Sequence, residues 1–143
     1  MSNRARSCLR GAALAAMLAC AACGASNAPT APSAPANITD TFSASIAQQG
    51  SITHNFKVAA TGGVTVTLTS VSPLATMSIG VGMMTSDGTN CVTTLSQNDN
   101  ARANNTVALQ GTAVAGNYCI RVYDSGNVPE STTVTYTVTV LHP

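Results

Sequence analysis

The sequence contains no tryptophan, and only 3% of its 143 residues are aromatic and 8% charged, although 45% are hydrophobic. The apolar content is therefore mostly alanine and valine, and large aromatic core residues are scarce. Beyond residue 23, three basic side chains remain against five acidic ones. Because binding to nucleic acid depends on clustered lysine and arginine, we expect no nucleic-acid partner.

The common hydrolase motifs G-x-S-x-G and H-E-x-x-H are also missing. His142 precedes the last residue, so we expect His54 to be the only histidine inside the folded domain. His54 is either a partly buried, hydrogen-bonded structural residue or a general base for a serine. Nucleophilic catalysis needs a base and an orienting acid that converge on a cleft, and a small domain offers little cleft. We therefore favour the structural role and predict no catalytic residue and no cofactor.

The first 23 residues have the organisation of a secretory signal peptide. Three arginines, Arg4, Arg6 and Arg10, precede an apolar run over residues 11–22 that ends in small residues. A membrane-spanning helix needs about 20 apolar residues, so this run is too short to be a permanent anchor. We predict that residues 1–23 are a signal peptide with a lipobox-like end and that the signal is cleaved.

The Cys20-Ala-Ala-Cys23 motif closes this signal. A redox pair belongs at a helix N-terminus in a folded domain, and zinc needs four ligands. A bacterial lipoprotein signal, in which a cysteine becomes the lipidated first residue, fits better. Cleavage before Cys23 leaves Cys91 and Cys119 as an even pair, whereas cleavage before Cys20 strands a free thiol. We therefore favour lipidation at Cys23, with Cys20 and a soluble secreted protein without lipid as alternatives.

Residues 24–40 are rich in alanine, proline and serine and contain too little apolar surface to fold. Such a tract would extend to roughly 50 Å, and we interpret it as a tether between a membrane and a domain at 41–143.

A period of two begins near Thr41 and is typical of half-buried antiparallel strands. Alternation is clearest over residues 52–58, 64–69 and 133–140, and further strands are expected at 74–84, 90–97, 105–114 and 117–124. Seven or eight short strands over about 100 residues indicate a single antiparallel β-sandwich. On this alternation Cys119 faces away from Ile120, so Cys91 should meet it from a neighbouring strand or connection on that face.

The sequence contains candidate residues for two binding chemistries, calcium and sugar. Asp87, Asp99 and Asp124 are spread over three turn-like stretches, whereas calcium needs several oxygens at one point. Aspartate is common in turns for its own reasons, so we predict no metal site. Sugar binding usually relies on exposed aromatic rings, and Tyr123, on the face of Cys119, is the candidate.

The closing stretch GNYCIRVYDSGNVPESTTVTYTVTV combines a Gly-x-Tyr-x-apolar-x-Val strand, a turn, and a final Tyr-Thr-Val-Thr-Val strand. It resembles the bacterial pre-peptidase C-terminal domain, from about Asp40 to the last residue. The resemblance implies a jelly-roll-like β-sandwich on an exported protein, and a domain that is itself not catalytic.

Together these features predict a non-enzymatic, exported lipoprotein of the bacterial cell envelope. Its partners would be the membrane, through the lipid anchor, and another envelope protein or a polysaccharide. The alternatives are a secreted carbohydrate- or matrix-binding module and a small hydrolase accessory that uses His54.

Overall fold

The computed structural model describes residues 33, 35–104 and 106–143. The predicted signal peptide, both candidate lipidation sites Cys20 and Cys23, and the larger part of the tether lie outside the described residues. Within the described ranges, no helix is long and apolar enough to cross a membrane.

The described chain forms eight β-strands, which confirms the predicted all-β fold. They are β1 (Ile38–Ala47), β2 (Ser51–Val58), β3 (Gly62–Ser72), β4 (Ser78–Ser86), β5 (Cys91–Arg102), β6 (Val107–Ala113), β7 (Gly116–Tyr123) and β8 (Thr133–His142).

The strands form two four-stranded antiparallel sheets that pack as a sandwich. Sheet A has the order β1-β8-β3-β6, and sheet B has the order β2-β7-β4-β5. Successive strands lie in opposite sheets except for the β4–β5 hairpin. This strand order is that of an eight-stranded jelly roll.

The core lies between the sheets and follows the alternation in the sequence. On β8, Val134, Val138 and Val140 are fully buried, while the intervening threonines are exposed or half-buried. On β7, Ile120 and Val122 are fully buried against the valine rows, as predicted. The alternation works because successive side chains of a strand point to opposite faces.

Several strand boundaries differ from the sequence-based expectation, and for three of them the difference changes the interpretation of a segment. β1 begins at Ile38, inside the predicted tether, because its backbone pairs with the end of β8. β4 begins at Ser78 because the residues after Leu74 form a turn, in which the N–H of Met77 donates to the Leu74 carbonyl. β5 continues to Arg102 through a polar stretch whose composition predicts a turn.

The expectation that His54 is the only histidine inside the domain is wrong. His142 is the last residue of β8 and is fully buried. Its Nε2 lies 3.1 Å from Oδ2 of Asp40, and its ring centroid lies 5.1 Å from that of Phe56. His142 pairs with Ile38 of β1, so the buried face of β8 extends one alternation further than the valine pattern indicated.

Candidate functional site

His54 lies on the inward face of β2 and joins the two sheets at their β1 and β2 edges. Its ring stacks on Phe42 of β1, with centroids 4.8 Å apart and planes inclined by 12°. Its Nε2 lies 2.7 Å from the hydroxyl of Tyr136 on β8. His54 is therefore part-buried and hydrogen-bonded, which is the environment that the structural interpretation predicts.

Burial sets the electrostatics of this cluster. Desolvation lowers the pKa of His54 and raises the pKa of Tyr136 to about 12, so both groups are neutral near pH 7. The partner of His54 is a hydroxyl group, whereas an orienting acid would be a carboxylate. The carboxylate of Asp40 bonds instead to His142.

Cys91 and Cys119 form a disulfide, with Cα atoms 6.0 Å apart. Cys119 is in the middle of β7. Its side chain points outward from the outer face of sheet B, yet it is fully buried. The β4–β5 turn covers this position. Asn55 of β2, the neighbour of Cys119 on the other side, accepts from the Ser86 hydroxyl and donates to the Thr89 carbonyl.

Asp87, Asp99 and Asp124 do not converge on one point. Asp87 accepts backbone N–H groups from Thr89 and Asn90 within its own turn, at 2.8 and 2.7 Å. Bonds from Asn90 and Thr89 lower the pKa of Asp87. The expected turn position is wrong for Asp99, which lies in β5. Among the described residues, no group of three or more histidine, cysteine, aspartate or glutamate side chains could hold a metal ion.

Asp124 is a turn residue whose two carboxylate oxygens both accept backbone hydrogen bonds. Oδ1 accepts the backbone N–H groups of Gly126, Asn127 and Val128, and Oδ2 accepts the N–H of Gln49. Desolvation alone would raise the pKa of Asp124, but these four bonds outweigh it and leave the pKa below its usual value. The carboxylate fastens the segment after β7 to the β1–β2 turn.

Tyr123 lies on the outer face of sheet B, on the same side of β7 as Cys119. Its ring covers Gly80 of β4 so closely that a Cβ atom there would lie 2.2 Å from the ring. Its hydroxyl donates to the carboxylate of Asp99 on β5, across the width of β4. Desolvation and then this hydrogen bond raise the pKa of Tyr123 to about 12.

Beside this ring is a polar hollow on the outer face of sheet B, which we call the Gly82 depression. Gly82 pairs with Gln97 of β5 on one side and with Arg121 of β7 on the other. The hollow has a volume of about 170 Å³. Its walls are the side chains of Met84, Thr94, Gln97, Asp99, Arg121 and Tyr123.

A second cavity, of about 230 Å³, opens between the sheets at the β5 and β6 edges. Core residues such as Val66 and Leu109 line it, and Leu95, 53% exposed, lies at its mouth. Its surface is mainly apolar and places no charged group at a defined point.

No family model matches this chain, and no curated protein matches its sequence. The site is therefore interpreted from its own residues. Sequence reasoning found Tyr123 and its face, but it missed Gly82, Asp99 and Arg121 as neighbours of Tyr123. A period-two pattern places residues on a face, whereas the order of strands in the sheet decides which of them meet.

Proposed function

We propose that this protein is an exported lipoprotein of the bacterial cell envelope, anchored through Cys23, with a jelly-roll domain that acts as a non-enzymatic interaction module. The observation that carries the proposal is the Cys91–Cys119 disulfide in a chain that begins with a signal-like segment. Disulfides persist in oxidising compartments outside the cytoplasm. With these two cysteines paired, Cys23 is available for a lipid.

A module without catalysis is favoured by the surroundings of His54. The ring of His54 stacks on Phe42 and its Nε2 is bonded to a tyrosine hydroxyl, so His54 lacks the carboxylate that orients a catalytic base. The resemblance to the pre-peptidase C-terminal domain supports the same proposal, since that domain is an exported, non-catalytic sandwich.

The anchor follows from the length of the apolar run. Acyl chains contribute about 0.8 kcal/mol per buried CH₂, and stable retention needs more than one chain. A multiply acylated cysteine supplies them, and the proline-rich tract then spaces the domain from the lipid surface. Lipidation at Cys20 and a soluble secreted form are the alternatives.

Metabolic labelling with a palmitate analogue tests the anchor. Cells expressing wild type, Cys23→Ala, Cys20→Ala and the control Cys8→Ala are compared after detergent extraction. We expect label in wild type and Cys8→Ala and loss in Cys23→Ala. Label that persists in Cys23→Ala and disappears in Cys20→Ala moves the site to Cys20, and no label in wild type overturns the lipoprotein proposal.

A separate assay tests the absence of catalysis. Wild type and His54→Ala are incubated with a panel of ester, peptide and glycoside substrates. We expect no hydrolysis by either protein. Hydrolysis by wild type that is lost in a folded His54→Ala variant would establish the hydrolase alternative.

A further inference from the structure

We infer that the Gly82 depression binds an uncharged sugar residue of a polysaccharide, with the ring of Tyr123 beside the sugar and Asp99 and Arg121 on its hydroxyl groups. This inference rests on the proposed role as an interaction module and names its ligand. It does not depend on the lipid anchor.

The two glycines of β4 differ in what the fold requires of them. At Gly80 a Cβ atom would collide with the Tyr123 ring, so the packing excludes any side chain. At Gly82 a Cβ atom would lie 3.7 Å from the Ser96 carbonyl oxygen, which is an ordinary contact. Gly82 has φ outside the left-handed region, so its backbone does not require glycine either.

Glycine inside a strand weakens it, and it often marks a place where a ligand approaches the backbone closely. Gly82 lies on a central strand, between Gln97 and Arg121, where a β-branched residue would stabilise the sheet. The missing side chain leaves the hollow open. Its volume of about 170 Å³ is several times the share of one water molecule, about 30 Å³.

The aromatic wall of the depression is fixed before a ligand arrives. The ring of Tyr123 packs on Gly80, and its hydroxyl donates a hydrogen bond to the Asp99 carboxylate. The guanidinium carbon of Arg121 lies over the Tyr123 ring, 5.3 Å from its centroid, and its Nη2 is 3.4 Å from the Ser51 hydroxyl on β2, so a ligand would meet only the part of the ring that lines the hollow. Side chains that are already ordered lose little conformational entropy on binding.

The polar groups select the chemical class of the ligand. Asp99 accepts hydrogen bonds and Arg121 donates them, so hydroxyl groups that do both satisfy the pair. The two charges are opposite, so together they give the hollow no net charge with which to favour a phosphate or carboxylate. Gln97 and Thr94 add uncharged donors and acceptors. A neutral polyhydroxylated ring, with apolar C–H groups towards Tyr123, matches this set.

Retention on neutral polysaccharides tests the inference. The full chain, purified in mild detergent from the bacterium that processes it, is titrated against arrayed glucans, mannans, xylans and chitin, with alginate as an acidic comparison. The variants are Tyr123→Ala and Gly82→Val, which fills the hollow. The matched controls are Thr53→Ala, on the same sheet face, and Thr135→Ala, on the outer face of sheet A.

We expect wild type and both controls to bind at least one neutral polysaccharide, and both site variants to lose affinity by about tenfold or more. Circular dichroism checks whether each variant is folded. If Tyr123→Ala does not fold, the affinity of Gly82→Val alone tests the inference. Binding to no neutral polysaccharide, binding to alginate alone, or equal binding by Gly82→Val overturns the inference. Palmitate labelling of the same preparation shows separately whether the anchor proposal stands.

Discussion

Cys119 on β7 is bonded to Cys91 at the start of β5, although β4 lies between these two strands in sheet B. Met84 of β4 is the direct neighbour of Cys119, and Cys91 pairs with Ser86 at the end of the same strand. The disulfide therefore fastens the β4–β5 turn onto the outer face of β7. It joins positions 28 residues apart, a segment that holds two entire strands, β5 and β6.

Removal of this disulfide should destabilise the domain without changing its fold. Closing a loop of this length restricts the unfolded chain and contributes about 3.5 kcal/mol. The Cys91→Ala/Cys119→Ala variant should therefore unfold at a lower urea concentration than wild type. Its free energy of unfolding should be smaller by about 3.5 kcal/mol. Reductant should shift wild type and leave the double variant unchanged. Two free thiols in the unreduced wild type, detected by mass spectrometry, would contradict the assignment.

Substitutions at the two glycines of β4 should have opposite consequences. Gly80→Ala forces the Tyr123 ring away from β4 and should cost about 1–3 kcal/mol in unfolding free energy. Gly82→Ala has room for its methyl group and should be neutral or stabilising by up to about 1 kcal/mol. Urea unfolding of both variants measures the difference.

The cause of the Gly80 effect can be isolated with a double variant. Gly80→Ala/Tyr123→Ala removes the colliding ring, so its loss of stability should be smaller than the sum of the two single losses. Simple additivity would show that the collision is not the reason for glycine at this position.

The stability of the domain should fall as the pH is lowered from 7 to 5, in part because of His54. Desolvation lowers the pKa of His54 below its usual 6.5 in the folded state. The unfolded chain then binds more protons in this range, so stability rises with pH until both states are neutral. In His54→Gln the difference in melting temperature between pH 7 and pH 5 should be smaller than in wild type.

Tyr136→Phe is the matched control for His54. It removes the hydroxyl that bonds to His54 and should cost about 1 kcal/mol at both pH values, while the dependence on pH remains. A His54→Gln variant with the same pH dependence as wild type would assign that dependence to other groups.

Loss of the Asp124 carboxylate should loosen the joint between β7 and the β1–β2 turn. Asp124→Ala deprives four backbone N–H groups of their acceptor and should cost about 1–2 kcal/mol. Asp124→Asn keeps an acceptor oxygen and should cost less. Thermal unfolding of both variants at pH 7 compares them, and equal losses would show that charge, rather than acceptor geometry, matters.

The stabilising contribution of the Asp124 carboxylate should be lost at low pH. The pKa of Asp124 lies below the usual 3.8 in the folded state. Its contribution to the free energy of unfolding is therefore complete above pH 3.8 and is lost as the pH falls through the lowered pKa. Asp124→Asn should lack this part of the acid destabilisation.

Most of the architecture could be predicted from local patterns. The Thr-Val alternation of β3 and β8 identifies their buried faces, because side chains of a strand alternate whatever the strand pairs with. The same reasoning placed Cys119 and Tyr123 on one face of β7. The disulfide was predicted from the expected export, from the even pair that Cys91 and Cys119 form after the signal, and from their position in strand-like sequence.

The remaining features depend on contacts between distant parts of the chain. The position of His142 beside the last residue predicts that it lies outside the domain, yet pairing of β8 with Ile38 buries it. Asp99 is in a polar stretch that is typical of a turn, yet β4 pairs with that stretch and Tyr123 reaches it. The sequence by itself determined which residues face inward and where turns interrupt the strands, because both are local properties of the backbone. Only the tertiary structure decided that Gly82 lies between Gln97 and Arg121, because strand order is set by packing of the two whole sheets.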